Sequence, residues 1–124
     1  MSKTIKVLMI DDEEDFCYFV KKNLMQYGVF DVITATNGMQ GVELAKKEHP
    51  DIILLDLVMP DMPGDEVAVV LNNHDATADI PIIFITALAT DDDIDKNEIR
   101  NYILSKPVRT ITLIKTIRDV LSKA

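Results

Sequence analysis

A single cysteine, Cys17, stands in a chain of 124 residues. One thiol excludes an intrachain disulfide framework and a cysteine-based metal cluster, and its amphipathic context places it as a small core residue. Basic side chains are scarce, 13 against 21 acidic ones, for a formal net charge of −8. That deficit argues against nonspecific binding to nucleic acid or an anionic membrane by the domain itself. No apolar run approaches membrane-spanning length, and Met1-Ser2-Lys3-Thr4-Ile5 lacks the long apolar region of a signal peptide. A cytoplasmic protein is the default expectation. Repeats, low-complexity segments and interdomain linkers are lacking as well. What is present, 48% hydrophobic and 27% charged residues, is the composition of a folded domain and not of a disordered chain. The length suits one domain, residues 1–124, with one ordinary core.

The chain alternates strand and helix patterns. Ile5 to Ile10 reads as a first strand that ends in Asp11-Asp12. A helix follows with Phe16, Phe19, Val20, Leu24 and Tyr27 at helical spacing and Gly28 as its stop; Glu13, Glu14 and Asp15 suit its positive end. Phe30 to Thr36 is a second, more polar strand. Asn37-Gly38 reads as a turn, and Met39, Val42 and Ala45 stripe a second helix that closes at Lys46, Lys47 and His49-Pro50. Ile52 to Leu55, four aliphatics in a row, is a strand buried on both faces. It runs into Asp56 and then into the rigid loop Pro60-Asp61-Met62-Pro63-Gly64, followed by a helix through Val67, Val70 and Leu71. After a polar connection from Asn72 to Asp79, Pro81 to Ile85 forms a fourth strand that ends in Thr86-Ala87. Thr90 and Asp91-Asp92-Asp93 suggest the start of a short fourth helix. Tyr102 to Leu104 is a fifth strand ending in Ser105-Lys106-Pro107. Thr110 or Thr112 opens a last helix carrying Leu113, Ile114, Ile117, Val120 and Leu121.

Five strands alternating with five helices, three strands nearly all aliphatic, predict an α/β fold: a doubly wound parallel sheet covered on both faces. Such sheets bind ligands at the carboxyl ends of their strands. Here those ends carry Asp11 and Asp12, Asp56, Thr86 and Lys106. Three carboxylates on one rim stay ionised together only if cations sit among them. Lys106 supplies one positive charge. A hard divalent ion with oxygen ligands supplies the rest, and Mg²⁺, which keeps several waters, fits better than a Ca²⁺ cage. A metal and an ammonium around one carboxylate suit a dianionic phosphoryl group, whose transfer needs mainly positioning and charge neutralisation. Asp56 is then the candidate nucleophile, and Thr86 the hydrogen-bond partner of a phosphoryl oxygen.

Each piece has a plainer reading. Paired acids after a strand serve helix starts, a strand-ending threonine is usually structural, Lys-Pro is usually a turn, and Asp56 alone reads as an N-cap. Four strand ends with complementary groups make the plain readings improbable together. His49 and His74 lie in polar ends or connections and read as solvated, not as phosphohistidine relays.

Asp11-Asp12, Asp56-Leu57-Val58-Met59-Pro60 with Gly64 eight beyond Asp56, Thr86-Ala87 and Lys106-Pro107 together resemble the receiver (response-regulator) domain of two-component signalling, over the whole chain. The resemblance implies a flavodoxin-like sheet of strand order 2-1-3-4-5. It implies that Asp56 accepts a phosphoryl group from a sensor histidine kinase or a small phosphodonor. It further implies that Asp12 and Asp56 hold Mg²⁺ with the backbone carbonyl of Val58, Asp11 acting largely through water, and that Thr86 and Lys106 contact the attached phosphoryl group. A cis Lys106-Pro107 bond is part of the same pattern. No output segment accompanies the receiver pattern in this sequence, which suits a stand-alone regulator or a receiver from a longer protein; the expected partners are a kinase and an unknown downstream protein, with a homodimer possible and no direct nucleic-acid or membrane contact.

The chain departs from that pattern in places. Receivers usually carry an aromatic three residues before this lysine; Ile103 stands there, and Tyr102 is offset by one residue, onto the opposite face. Ile99-Arg100-Asn101 replaces the usual Gly-Ala pair. Val58 and Leu88, two residues after Asp56 and Thr86, are apolar and cannot orient an attacking water, which predicts slow loss of the phosphoryl group. The expected output surface comprises the fourth helix, the fifth strand and the last helix, with Lys96, Glu98, Arg100 and Tyr102 on it. Two other functions compete with the switch. A Mg²⁺-dependent phosphatase of the haloacid dehalogenase type generally needs a second Asp two residues after the nucleophile, where Val58 stands. A phosphate-independent binding module would have lost one of Asp12, Asp56 or Lys106, and none is lost.

Overall fold

Aliphatic runs form the strands and amphipathic runs the helices of this computed structural model, which describes residues 4–87 and 101–123. β1 spans Ile5–Ile10, α1 Glu14–Met25, β2 Phe30–Ala35, α2 Gly38–Glu48 and β3 Ile52–Leu55. α3 spans Gly64–Asn72, β4 Ile82–Thr86, β5 Asn101–Ser105 and α4 Thr110–Ser122. The five strands pair in parallel in the order β2-β1-β3-β4-β5. That is the order the resemblance implies. The expected helix around Asp91, with Thr90, lies outside the described residues.

Two layers of core follow from the period of two along each strand. Val7, Met9, Ile52, Leu54, Ile83 and Ile85 face α1 and α4, where Cys17, Val20, Leu24, Leu113, Ile114, Ile117 and Val120 meet them. Leu8, Ile10, Ile53, Leu55, Ile82 and Phe84 face α2 and α3, against Val42, Ala45, Val67, Ala68 and Leu71. β3 has all four residues buried because it is central in the order and both faces are covered. Cys17 is a core residue, as its context predicts.

Helix faces differ from the sequence reading in four places. Phe19 and Tyr27 are exposed, and Cys17 takes the buried place beside Val20 on α1. Tyr27 is not helical at all: α1 ends at Met25, and Gly28 turns the chain at φ 72°. Met39 is exposed on α2, where Gly41 lets the helix lie close on β1 and Gly38 packs against Val67 of α3. Val70 is exposed on α3, and Ala68 is the residue that packs inward. On each of the three helices a small side chain lies inside and a large one outside, so size and hydrophobicity misplace the stripe. Asn37 is the N-cap of α2, its side chain accepting from the backbone N–H of Gln40, where the sequence suggests a turn. Thr77, inside the polar connection, is buried with its hydroxyl donating to the Leu71 carbonyl. α4 begins at Thr110, one of the two expected starts.

Gly41 is where packing tolerance is lowest. A Cβ there would stand 2.5 Å from Cδ1, 2.8 Å from Cγ1 and 3.0 Å from Cγ2 of Ile10, which is itself fully buried at the end of β1. Alanine is the better helix former by roughly 1 kcal/mol, but forcing a methyl into a filled core costs about 1–3 kcal/mol. Gly41→Ala is expected to lower the urea midpoint with an unchanged denaturant slope, because the branched end of Ile10 has no room to withdraw. Equal or higher stability would show that the helix can lift off the sheet freely.

Candidate functional site

The ladder of β-pairing continues one residue past the strands and sets the rim. Asp11 N–H donates to the Ala35 carbonyl at 3.1 Å, Asp56 N–H to the Ile10 carbonyl at 3.0 Å, and Lys106 N–H to the Thr86 carbonyl at 3.0 Å. Because Ile10 pairs with Leu55, and Thr86 with Ser105, these groups emerge at the same edge of the sheet. Asp11, Asp56 and Thr86 are buried, whereas Asp12 is exposed. A cleft of about 260 Å³ opens there, lined by Asp12, Glu13, Asp56, Val58, Thr86, Ala87 and Lys106.

Lys106 is the centre of charge in this cleft. Its ammonium lies 2.7 Å from Asp11 Oδ2, 2.7 Å from Glu13 Oε1 and 3.3 Å from Asp56 Oδ2. The Phe16 ring centroid is 4.5 Å away, an added cation–π contact. Burial alone works against the charged amine. Close pairing with Asp11 and Glu13, and the charges of Asp11 and Asp56, outweigh it and hold the ammonium above the usual lysine range. The Lys106-Pro107 bond is cis, as the resemblance implies.

Asp11 is the carboxylate under most stress. Burial raises its pKa and the Asp56 charge adds to the rise; Lys106 and the Glu13 N–H, which donates to Oδ1 at 2.9 Å, counter it incompletely. Its contact with Lys106 is a close ion pair, but Oδ2 makes no aligned hydrogen bond. Beneath it, the Cys17 thiol donates to the Asp11 carbonyl at 3.3 Å. Burial pushes that thiol up to about 12, so it stays protonated and serves as a donor, not a nucleophile.

Asp56 is held on both oxygens. Oδ1 accepts from the Val58 N–H at 3.2 Å and Oδ2 faces Lys106. The loop that follows folds back onto it: Gly64 N–H donates to the Leu57 carbonyl at 2.8 Å. A Cβ on Gly64 would sit 2.1 Å from the Asp56 carbonyl oxygen, so only glycine permits this approach. Asp61 ties the same loop to α2, its Oδ2 accepting from the Gly38 N–H at 2.9 Å.

A metal fits the donor set. Asp11, Asp12 and Asp56 each offer a carboxylate oxygen within 4.8 Å of the others. Three hard oxygens with only Lys106 shared among them match what Mg²⁺ requires, and the poorly aligned buried oxygen of Asp11 is a place where another cation is favourable. Leu88, Lys96, Glu98 and Arg100 lie outside the described residues. His49 and His74 are exposed and far from these groups in the fold's connectivity. Glu13 is the site residue the sequence reading missed. It looked like a helix-start charge, yet its side chain makes no cap bond and pairs with Lys106 instead.

A strand-end aspartate bracketed by an acidic pair and a lysine is the constellation of a receiver domain, and comparison with known proteins places the chain in that class. The response regulator receiver domain profile matches residues 7–118, and the chain belongs to that family. PilH of Pseudomonas aeruginosa is 37% identical, over 94% of this chain and 98% of its own length. The polar-differentiation response regulator DivK of Brucella anthropi is 31% identical, over 96% and 98%. Among solved structures, the chemotaxis protein CheY4 of Vibrio cholerae superposes with a TM-score of 0.82 at 28% identity, over 94% of this chain and 98% of that one. A putative response regulator of Chloroflexus aurantiacus, 21% identical, superposes at 0.84 over 97% and 99% and shares the fold. Receiver domains act as signalling switches and not as enzymes in the ordinary sense. No helix among the described residues is long and apolar enough to cross a membrane.

The sign of the Asp11 shift makes a test in metal-free buffer. A carboxyl whose folded pKa is raised costs stability once it ionises; the cost is absent below its unfolded value of 3.8 and complete above the folded pKa. With a chelator present, Asp11→Asn is therefore expected to be more stable than the parent at pH 7, with a gain that shrinks toward pH 4. Urea titrations at both pH values decide this. A gain independent of pH would mean that the Asp11 carboxylate carries no net strain.

Proposed function

We propose that this chain is a single receiver domain, residues 1–124, working in the cytoplasm, whose Asp56 takes a phosphoryl group from a sensor histidine kinase or a small phosphodonor. The observation that carries the reading is one constellation. Three carboxylate oxygens lie within 4.8 Å of one another, and the Lys106 ammonium is 3.3 Å from the Asp56 oxygen. In the transfer, an Asp56 carboxylate oxygen bonds to phosphorus as the bond to the leaving group breaks. The leaving group, a histidine nitrogen or a carboxylate, keeps the electron pair.

Asp11, Asp12, Asp56 and the backbone carbonyl of Val58 would hold Mg²⁺, which when bound supplies charge neutralisation for the phosphoryl oxygens. Lys106 and Thr86 are assigned to the phosphoryl oxygens. The Val58 N–H, now on Asp56 Oδ1, keeps the carboxylate oriented. The phosphorylated form alters affinity for a downstream protein, through the surface that includes β5 and α4. A homodimer is compatible with this scheme, and DNA contact is not part of it.

Incubation with acetyl phosphate and Mg²⁺, followed by intact-mass measurement, tests this. One stable phosphoryl adduct is expected, absent in Asp56→Asn and absent when Mg²⁺ is chelated. Continuous phosphate release without an adduct would favour a haloacid-dehalogenase-type phosphatase, and silence in every condition a phosphate-independent module. Specific Mg²⁺ binding should also stabilise the fold, by about 2.7 kcal/mol at a hundredfold excess over Kd.

Val58 is about half exposed beside the site and offers no hydrogen bond from its side chain to a water. The adduct is accordingly expected to persist for minutes or longer after the phosphodonor is removed. Spontaneous loss within seconds, in Mg²⁺ and without a phosphatase, would contradict that role of the apolar residue.

A further inference from the structure

We infer that Glu13 is a positioning residue for the phosphoryl-transfer step, holding the Lys106 ammonium on the α1 side of the cleft until a phosphoryl group competes for it. The inference rests on the phosphoacceptor reading of Asp56. Three distances motivate it. Lys106 Nζ is 2.7 Å from Glu13 Oε1 and 2.7 Å from Asp11 Oδ2, but 3.3 Å from the Asp56 oxygen that would receive the phosphoryl group. The lysine thus stands closer to its holders than to the reacting residue.

The two holders are not alike. Asp11 is fully buried, fixed by the Glu13 N–H, and belongs to the carboxylate trio. Glu13 is outside that trio, and its side chain is 62% exposed. It can swing into water at little cost, so it is the partner that releases. Among the described residues its carboxylate contacts Lys106 alone: it makes no cap bond to α1, and the contact with Lys106 spans 93 residues of chain. Lys106, by contrast, is constrained, with 12% of its side chain exposed and its ammonium over the Phe16 ring.

When Asp56 gains a phosphoryl group, a dianion appears next to an ammonium already shared among three carboxylates. Lys106 must turn toward it for its charge to count. Glu13 opposes that turn in both the transition state and the product, so its removal should speed phosphorylation and leave the Mg²⁺ requirement intact. The partly exposed ion pair sets the scale at roughly a two- to five-fold change in rate.

The test follows adduct formation from acetyl phosphate in saturating Mg²⁺ for the parent, Glu13→Gln, Glu13→Ala and Glu14→Gln. Glu14 is exposed, carries the same charge one residue on, and has no contact with Lys106, so it reports the bulk effect of losing a negative charge. Acceleration in both Glu13 variants, seen in the maximal rate more than in the half-saturating donor concentration and absent in Glu14→Gln, supports the inference. Repeating Glu13→Gln on a Lys106→Ala background isolates the route: the acceleration should vanish there. Acceleration that survives without Lys106, or that Glu14→Gln reproduces, overturns the positioning role in favour of a general charge effect. Unchanged rates in both Glu13 variants, with an adduct still forming, overturn it outright. Absence of any adduct in the parent instead overturns the reading of Asp56 on which it rests. Circular dichroism of each variant separates these results from misfolding.

Discussion

One ammonium against three carboxylates is the constraint on which this protein turns. Asp11 and Asp56 are buried at the ends of adjacent central strands, and two such charges at close range raise each other's energy. Lys106 comes from β5, separated from β1 by two strands in the sheet, and spans that gap to reach Asp11, Glu13 and Asp56 together. It can do so because the chain leaves β5 paired to β4, with the Lys106 N–H on the Thr86 carbonyl. Remove that cation and the rim has no counter-charge of its own among the described residues. The fold therefore carries, at its functional edge, an arrangement that is stable only while charge is balanced.

That balance is what makes the edge a switch. A site short of positive charge favours a divalent cation, and a site with a cation and an ammonium favours a phosphoryl dianion. In the proposed function each arrival would change where Lys106 is best placed, since its one ammonium is shared among Asp11, Glu13 and Asp56. A conformational equilibrium responds only to differential interaction, and in the proposed function a phosphoryl group on Asp56 would supply it by competing with Asp11 and Glu13 for one donor. The same logic explains the rigid surroundings. Gly64 pressed on the Asp56 backbone and Asp61 on the N-terminus of α2 hold the backbone that carries the carboxylate in place.

Much of this was legible in the sequence because strand ends are legible. A run such as Ile52–Leu55, short and bounded by turn formers, reads as a doubly covered strand, and the polar residue after it then sits on the rim. Applied to four strands, that rule brings Asp11, Asp12, Asp56, Thr86 and Lys106 to one edge, which is where they are. Helix faces were less legible. Phe19, Met39 and Val70 look like core residues by hydrophobicity, but Cys17, Gly41 and Ala68 take the inward places on α1, α2 and α3, because close packing of the helices favours small side chains. Glu13 was hidden for a different reason: its partner is 93 residues away, and nothing local distinguishes it from Glu14.

The offset aromatic is where the sheet's geometry limits how the signal can leave. Ile103 pairs with Phe84 and packs with the α2–α3 layer, whereas Tyr102 pairs with Ile83 and packs on the α1–α4 layer. A single-residue shift in a strand exchanges faces, so Tyr102 cannot take over the place of Ile103 without breaking the register. Tyr102 is also engaged elsewhere. Its hydroxyl donates to Asp119 Oδ2 at 3.1 Å and accepts from Lys123 at 3.1 Å, with the Lys123 ammonium 5.8 Å from its ring centroid. Asp119 and Lys123 belong to the end of α4, one turn apart, so the three groups tie β5 to that helix. Exposed pairs of this kind are worth little singly. They nevertheless give the tyrosine a preferred outward position, shared by three groups, that an inward swing would forfeit. Any motion transmitted along β5 from Lys106 must therefore pass through an aliphatic side chain on one face, or through the β5–α4 tether on the other.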